Sequence, residues 1–200
     1  MFDKKVAIVG GLDVPEEDLE PYDYIIRTNN HWLRTGGRIN ALFHCGAINP
    51  DPLLVLDEVK DWPAFHFIAY PSWASGAKRI RDWHATLFSR TNRPATMEFD
   101  ENGEHPLSFW YGNLYRKLRL YWNQGTPLTG FSAAAYALSR PIRSLHLTGM
   151  NLYVDTIKDR GYGHNLYGHA KLLLEWLQYD PRLTVDEKLL KAAKEVSRRQ

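Results

Sequence analysis

Val6-Ala7-Ile8-Val9 is a short apolar run closed by Gly10-Gly11, the pattern of a buried strand entering a tight turn. Further apolar runs at 24–26, 39–43, 65–69 and 142–147 read as strands of the same kind. Stretches of helical character separate them. Pro15-Glu16-Glu17 predicts a helix start, since proline suits the first helical position and acids suit the positive end of the helix dipole. Helices are also expected over 53–59, 77–88, the aromatic 107–122, the small-residue 129–139, 169–178 and the charged 187–196. The polar segment 91–106 holds Asn102-Gly103 and reads as a loop with room for a short strand or hairpin. Alternation of strands and helices implies βαβ crossovers. The expected fold is α/β: a single Rossmann-like domain over residues 1–200, with a mostly parallel twisted sheet and helices on both faces. Ligands of such sheets bind beyond the carboxyl ends of the strands. That directs attention to the turns after Val9, Ile26, Phe43, Ala69 and Leu147.

Composition narrows the classes. Of 200 residues, 44% are hydrophobic and 13% aromatic, enough to bury a full core, so intrinsic disorder is excluded. A net charge of +2 is too mild to require nucleic acid or an anionic membrane as partner. The lone Cys45 excludes an intrachain disulfide and a thiolate zinc cluster. No apolar run reaches the length of a membrane span, and the first residues lack a signal peptide's long apolar region, so a reducing, cytoplasmic setting is expected. There is no internal repeat and no low-complexity linker.

Gly10-Gly11 invites a dinucleotide reading, which the next residues oppose. The dinucleotide fingerprint needs a third glycine, and here Val14-Pro15-Glu16-Glu17 puts two carboxylates where a pyrophosphate would sit. Walker-type loops are missing too, since no Gly-Lys-Ser/Thr occurs. The turn is either a plain tight turn or a contact for some other ligand.

Three further segments carry candidate chemistry. Tyr24-Ile25-Ile26 runs into Arg27-Thr28-Asn29-Asn30, where Asn29 can both donate to and accept from a ribose or base edge, or simply cap its own turn. Pro127-Leu128-Thr129-Gly130 opens a small-residue helix, with Thr129 read as its N-cap and Gly130 as a point of close ligand approach. Such a start suits a single phosphate, or is an ordinary cap on a closely packed helix. In Tyr162-Gly163-His164-Asn165-Leu166-Tyr167-Gly168-His169, the two histidines would lie about 140° apart around a helix, so they are not a helical zinc pair. His164 lies in a Gly-rich polar turn, where an imidazole can take a proton from a substrate hydroxyl.

In this order the segments resemble the sialyltransferases of the animal type and their shorter bacterial and viral relatives. The resemblance covers residues 6–174. Asp23-Tyr24-Ile25-Ile26-Arg27-Thr28-Asn29 matches the family's long motif, and Pro127-Leu128-Thr129-Gly130 with the strand ending at Gly149 matches the short one. His164 matches the late histidine, the catalytic base. The resemblance implies an inverting, metal-independent transfer of sialic acid or a Kdo-like sugar from a CMP-sugar donor to a glycan hydroxyl, with no cofactor. It assigns donor binding to Gly10, Gly11, Asn29, Thr129, Gly130, Gly149, Tyr153 and Tyr162, with Asn30 and His169 in support. The chain departs from the family at Gly11, where Asn or Ser is usual, and at His169, where Glu is usual. It also lacks the animal enzymes' cysteine pair, and neither their anchor nor their stem is expected. The absence of Asp-x-Asp fits a metal-free scheme independently.

Two other readings stay open. Aromatic and basic residues interleave over 109–122, as in single-strand nucleic-acid binders, although Phe109, Leu114, Leu118 and Tyr121 recur at helical spacing, which favours a core stripe with a solvated basic face; no nucleic-acid partner is expected. A degenerate relative could keep the fold and lose the chemistry, as the change at His169 would permit. The charged helix within 186–200 reads as solvated, with at most a peripheral membrane contact.

Overall fold

The apolar run at 6–9 becomes β1 (Lys5–Val9), in which every residue after Lys5 is buried. Both of its faces are covered, which is why it reads as a continuous apolar run. The computed structural model describes residues 3–28, 37–44, 66–69, 97–99, 128–152, 154 and 165–198, with backbone alone at 44, 66–69 and 97–99. The other strands are β2 (Tyr24–Thr28), β3 (Ala41–His44), β4 (His66–Ala69), β5 (Met97–Phe99), β6 (Ser144–Thr148) and β7 (Leu183–Val185). They form one seven-stranded sheet in the order β5-β4-β3-β2-β1-β6-β7. Each pairing is parallel, with Val9 opposite both Arg27 of β2 and Thr148 of β6.

Three helices are described: α1 (Thr129–Leu138), α2 (Leu166–Tyr179) and α3 (Glu187–Val196). They share one core with one face of the sheet, where Val6, Ile8, Phe43, Leu145 and Leu147 meet Phe131 of α1, Leu172 and Leu173 of α2, and Leu189 of α3. Ala133, Ala134 and Ala137 of α1 are fully buried, and their small side chains let the helix pack closely, while Tyr136 packs on Phe43 of β3 with ring centroids 5.8 Å apart. On the opposite face, Ala7, Val9 and Ile25 are covered by Leu19, with Val14 and Tyr22 packed against them.

Several boundaries differ from the sequence reading. The helix expected at Pro15 is a single 3-10 turn, Glu16–Leu19, because Pro21 has no N–H with which to continue it. Leu128, not Thr129, occupies the N-cap position of α1, and Thr129 is its first helical residue. α2 begins three residues earlier than expected, since Asn165 caps it by accepting from the Gly168 N–H at 2.7 Å. β6 starts at Ser144 rather than at 142. β7 has three residues, too few to show an alternating pattern, and pairs Leu183 with Leu145. The three-residue β5 lies within 91–106, as the sequence allowed. The C-terminal helix is not simply solvated: Leu189, Ala192, Ala193 and Val196 form a buried stripe. The helices expected over 53–59, 77–88 and 107–122 lie outside the described residues. Among the described residues, no helix is long and apolar enough to cross a membrane.

Candidate functional site

Strand order reverses at β1. From it, β2 to β5 step outward on one side, and β6 and β7 on the other. The chain leaves β1 over one face, where Leu19 packs, and the helix that leads into β7 packs on the other. A crevice between diverging connections is where open parallel sheets bind ligands. The turns after β1 and β6 meet at that point. The Gly10 N–H donates to the Thr148 carbonyl and the Leu12 N–H to the Gly149 carbonyl, both at 2.9 Å. These bonds extend the strand ladder and lock the two turns together.

The glycines here are there for packing. A Cβ on Gly10 would lie 2.5 Å from the Gly149 carbonyl oxygen, a backbone atom that cannot give way. Gly149 has a φ of +67°, the left-handed region that disfavours other residues. A Cβ on Gly130 would lie 2.6 Å from the terminal methyl of Met150. Gly10, Gly130 and the turn at Gly149 are therefore drawn together around Met150, which brings the N-terminus of α1 to the carboxyl ends of β1 and β6. Gly130 serves close packing in the first instance. Gly11 is exposed.

Asp186 fixes this turn from the far side. One carboxylate oxygen accepts from the Leu189 N–H at 2.6 Å and caps α3, and the other accepts from the Gly149 N–H at 3.1 Å. The sequence marked Asp186 only as part of a charged helix. An acid directly before a helical run is an N-cap signal, but its second bond is a tertiary contact that no local pattern reveals.

At the start of α1, the Leu128 carbonyl accepts from the N–H groups of Phe131 and Ser132, each at 3.0 Å. No acidic residue stands in the first turn, so the positive end of the dipole is not neutralised by the helix itself. The Leu128 N–H donates to Nε2 of His169 at 2.8 Å. His169 is fully buried, its Nδ1 lies 2.6 Å from the Asn165 carbonyl, and its ring stands edge-on to Phe131. Ser132 Oγ is buried, with no hydrogen-bond partner among the described residues.

Arg27, part of the long motif, is used by the fold. Its guanidinium is buried, bonds the Glu16 carboxylate at 2.5 Å and donates to the Arg38 carbonyl at 2.9 Å. Glu16 also accepts from the Arg38 N–H at 3.1 Å. Burial pulls the Arg27 pKa down and the Glu16 charge opposes that. Of the two carboxylates that would repel a pyrophosphate, the half-exposed Glu16 is thus engaged by Arg27 and the Arg38 N–H. Asp23 accepts from the Lys5 N–H at 2.9 Å at the amino end of the sheet, away from the crevice, and that bond holds its pKa down. His146 stacks on Tyr22, with ring centroids 5.3 Å apart and Nδ1 2.9 Å from the Thr184 hydroxyl, and burial lowers its pKa against the pull of Asp186.

Of the residues singled out in the sequence, Gly10, Gly11, Thr129, Gly130, Gly149 and His169 are described. Asn29, Asn30, Tyr153, Tyr162, His164 and Cys45 lie outside the described residues. Among the described residues, no group of His, Cys, Asp and Glu could hold a metal ion.

A parallel α/β sheet with its turns locked at a strand-order reversal defines a Rossmann-like protein with a candidate crevice at that point. No family model matches the chain. No curated protein matches it either. In three dimensions it is similar to the sialyltransferase CstII from Campylobacter jejuni. Superposed on CstII in complex with the substrate analogue CMP-3FNeuAc, it has a TM-score of 0.55 at 14% identity, covering 91% of this chain and 78% of that one. On CstII with cytidine-5'-monophosphate, the TM-score is 0.50 at 16% identity, covering 92% and 79%. The chain therefore has a sialyltransferase-like fold, and the likeness is to a bacterial enzyme rather than to the animal-type motifs.

Proposed function

We propose that the chain is an inverting, metal-independent glycosyltransferase that moves sialic acid or a Kdo-like sugar from a CMP-sugar to a glycan hydroxyl. The observation that carries this reading is a convergence. The fold is like that of an enzyme solved with CMP and a CMP-sugar analogue, and the strand-order reversal in this chain gathers a helix N-terminus with no acid in its own first turn beside the Gly10 and Gly149 turns. A single phosphate is the anion such a helix end suits. In this scheme the acceptor hydroxyl oxygen bonds to the anomeric carbon while the bond from that carbon to the CMP phosphate breaks. CMP leaves with the bonding pair, and His164 takes the hydroxyl proton. Thr129 and Gly130 hold the leaving phosphate, with Tyr153 and Tyr162 bonding it, and Asn29 with Asn30 holds ribose or cytosine. Gly11, which is exposed, leaves room for the nucleotide, and Gly10 and Gly149 contribute through the close-packed turns they allow at its edge. Helix amides stabilise the charge on the leaving phosphate, so the scheme needs no divalent ion and no cofactor.

His169 does not argue for lost chemistry. It is fully buried and both ring nitrogens are engaged by the backbone, so the change from Glu at this position removes no group that faces a substrate.

A thermal-shift panel with CMP, UMP, UDP and NAD tests the donor half. Stabilisation by CMP alone is expected, and a chain stabilised by none of the four overturns the proposal. His164→Ala is expected to slow transfer by about 10²–10⁴-fold with CMP affinity retained, the usual share of a general base. Near-normal turnover in that variant removes His164 from the role.

A further inference from the structure

His169 joins two elements that the proposed chemistry needs in register. A backbone N–H, that of Leu128, points at Nε2 from 2.8 Å, so Nε2 must be the acceptor. A backbone carbonyl, that of Asn165, faces Nδ1 at 2.6 Å, so Nδ1 must carry the proton. The ring is therefore held neutral in one tautomer by two backbone groups. The same Asn165 carbonyl also accepts the His169 N–H at 3.0 Å, the first helical bond of α2, so the tie is anchored at the cap of that helix. Leu128 is the N-cap of α1. Asn165 is the cap of α2 and is covalently joined to His164. Phe131 braces the imidazole edge-on, with centroids 4.7 Å apart, and comes from the first turn of α1. With the residue fully buried, nothing in solvent competes for either nitrogen.

We propose that His169 is a positioning residue. One neutral imidazole fixes the spacing between the N-terminus of α1, which receives the leaving phosphate, and the cap of α2, the residue next in sequence to the proposed base His164. This rests on the donor and base assignments above and adds a residue that touches neither substrate. It also accounts for the departure from the family's Glu. A carboxylate can accept from Leu128 but has no proton for the Asn165 carbonyl. An imidazole sets one donor and one acceptor on either side of a single carbon, and a carboxamide does the same.

The test compares His169→Gln with His169→Leu in the full chain, reading CMP release from CMP-sialic acid, CMP affinity, and the imidazole nitrogens by two-bond 1H–15N correlation. In the unsubstituted chain the His169 signals, assigned by their loss in His169→Gln, are expected to be those of a neutral Nδ1–H ring. His169→Gln is expected to keep kcat within about threefold. His169→Leu is expected to lose about 10–100-fold in kcat with CMP affinity changed less than about threefold, since misalignment of reacting groups costs rate more than binding. An Nε2–H or charged ring overturns the tie, whatever the activity, and remains decisive if His169→Leu fails to fold. Equal loss in both variants, no loss in His169→Leu, or a fall in CMP affinity matching the fall in kcat overturns the positioning role. An unsubstituted chain that neither binds CMP nor releases it from the donor overturns the functional reading, and the positioning role with it. An active parent with an unaffected His169→Leu overturns this inference alone.

Discussion

Three glycines meet at the crevice under three different constraints, and alanine separates them. At Gly10 the added methyl would lie 2.5 Å from a backbone carbonyl oxygen of the locked turn. Gly10→Ala is therefore expected to cost about 3 kcal/mol or more, the upper range of overpacking. At Gly149 the penalty is a φ of +67° together with a contact 2.9 Å from the Val14 side chain, giving about 1–3 kcal/mol. At Gly130 the obstacle is the flexible end of Met150, and alanine gains about 1 kcal/mol of helix propensity, so the net change is expected to be within about 1 kcal/mol. Denaturant unfolding of the three variants checks the order, and a Gly130→Ala loss as large as that of Gly10→Ala contradicts it. The presence of these glycines was visible in the sequence. That they answer to one another through Met150 was not, because residues 10, 130 and 150 share no local period.

At the scale of elements, single carboxylates join pieces that lie far apart in the chain. Asp186 caps α3 and holds the Gly149 N–H. Asp186→Ala should lose the cap, about 1 kcal/mol, and leave a buried-turn N–H without its acceptor, for a total of about 2–4 kcal/mol. Asp186→Asn keeps an acceptor for the cap and should lose roughly half as much. Glu16 is half-exposed, yet it is the partner of a guanidinium that is only 5% exposed. Glu16→Gln is expected to cost about 1–3 kcal/mol, the range of a hydrogen bond to a charged group. Thermal melts of the variants check both, and an unshifted Asp186→Ala contradicts the bridging role. The helices at 129–139 and 187–196 were legible from small-residue and amphipathic patterns. The cap was misplaced by one residue at Thr129 because the side chain that holds the α1 terminus, His169, comes from α2. β7 escaped notice because three residues cannot establish a period, and it is strand pairing with β6 that makes it a strand.

For the whole molecule, acid sensitivity follows from groups whose pKa the fold has moved. Burial lowers the His146 pKa from the ordinary 6.5, with Asp186 opposing. The folded chain then holds fewer protons on that ring than the unfolded chain. Its contribution to stability is full above about pH 6.5 and falls as pH drops from there toward the lowered value. Asp180, held down by its bond to Arg182, and Asp23, held down by the Lys5 N–H, are lowered from 3.8. Their contributions are present above that pH and are lost below it. Stability measured against pH is expected to fall in two stages, and His146→Gln should flatten the upper one. An unchanged slope between pH 7 and 5 in that variant contradicts the assignment to His146.

The sequence by itself determined the class of fold, because apolar runs buried on both faces and alternating with helices admit little besides a parallel sheet. It also marked the chemistry-bearing turns, since glycine, proline and polar residues punctuate a chain locally. Strand order was decided only in three dimensions. The seven strands reverse direction of growth at β1, and this sets Gly10 beside Gly149, α1 against Met150, and His169 between two helix caps. Apart from the bond of His169 to its own helix cap, those contacts join residues on separate elements. Local periodicity carries no information about them, and burial in a shared core decides them.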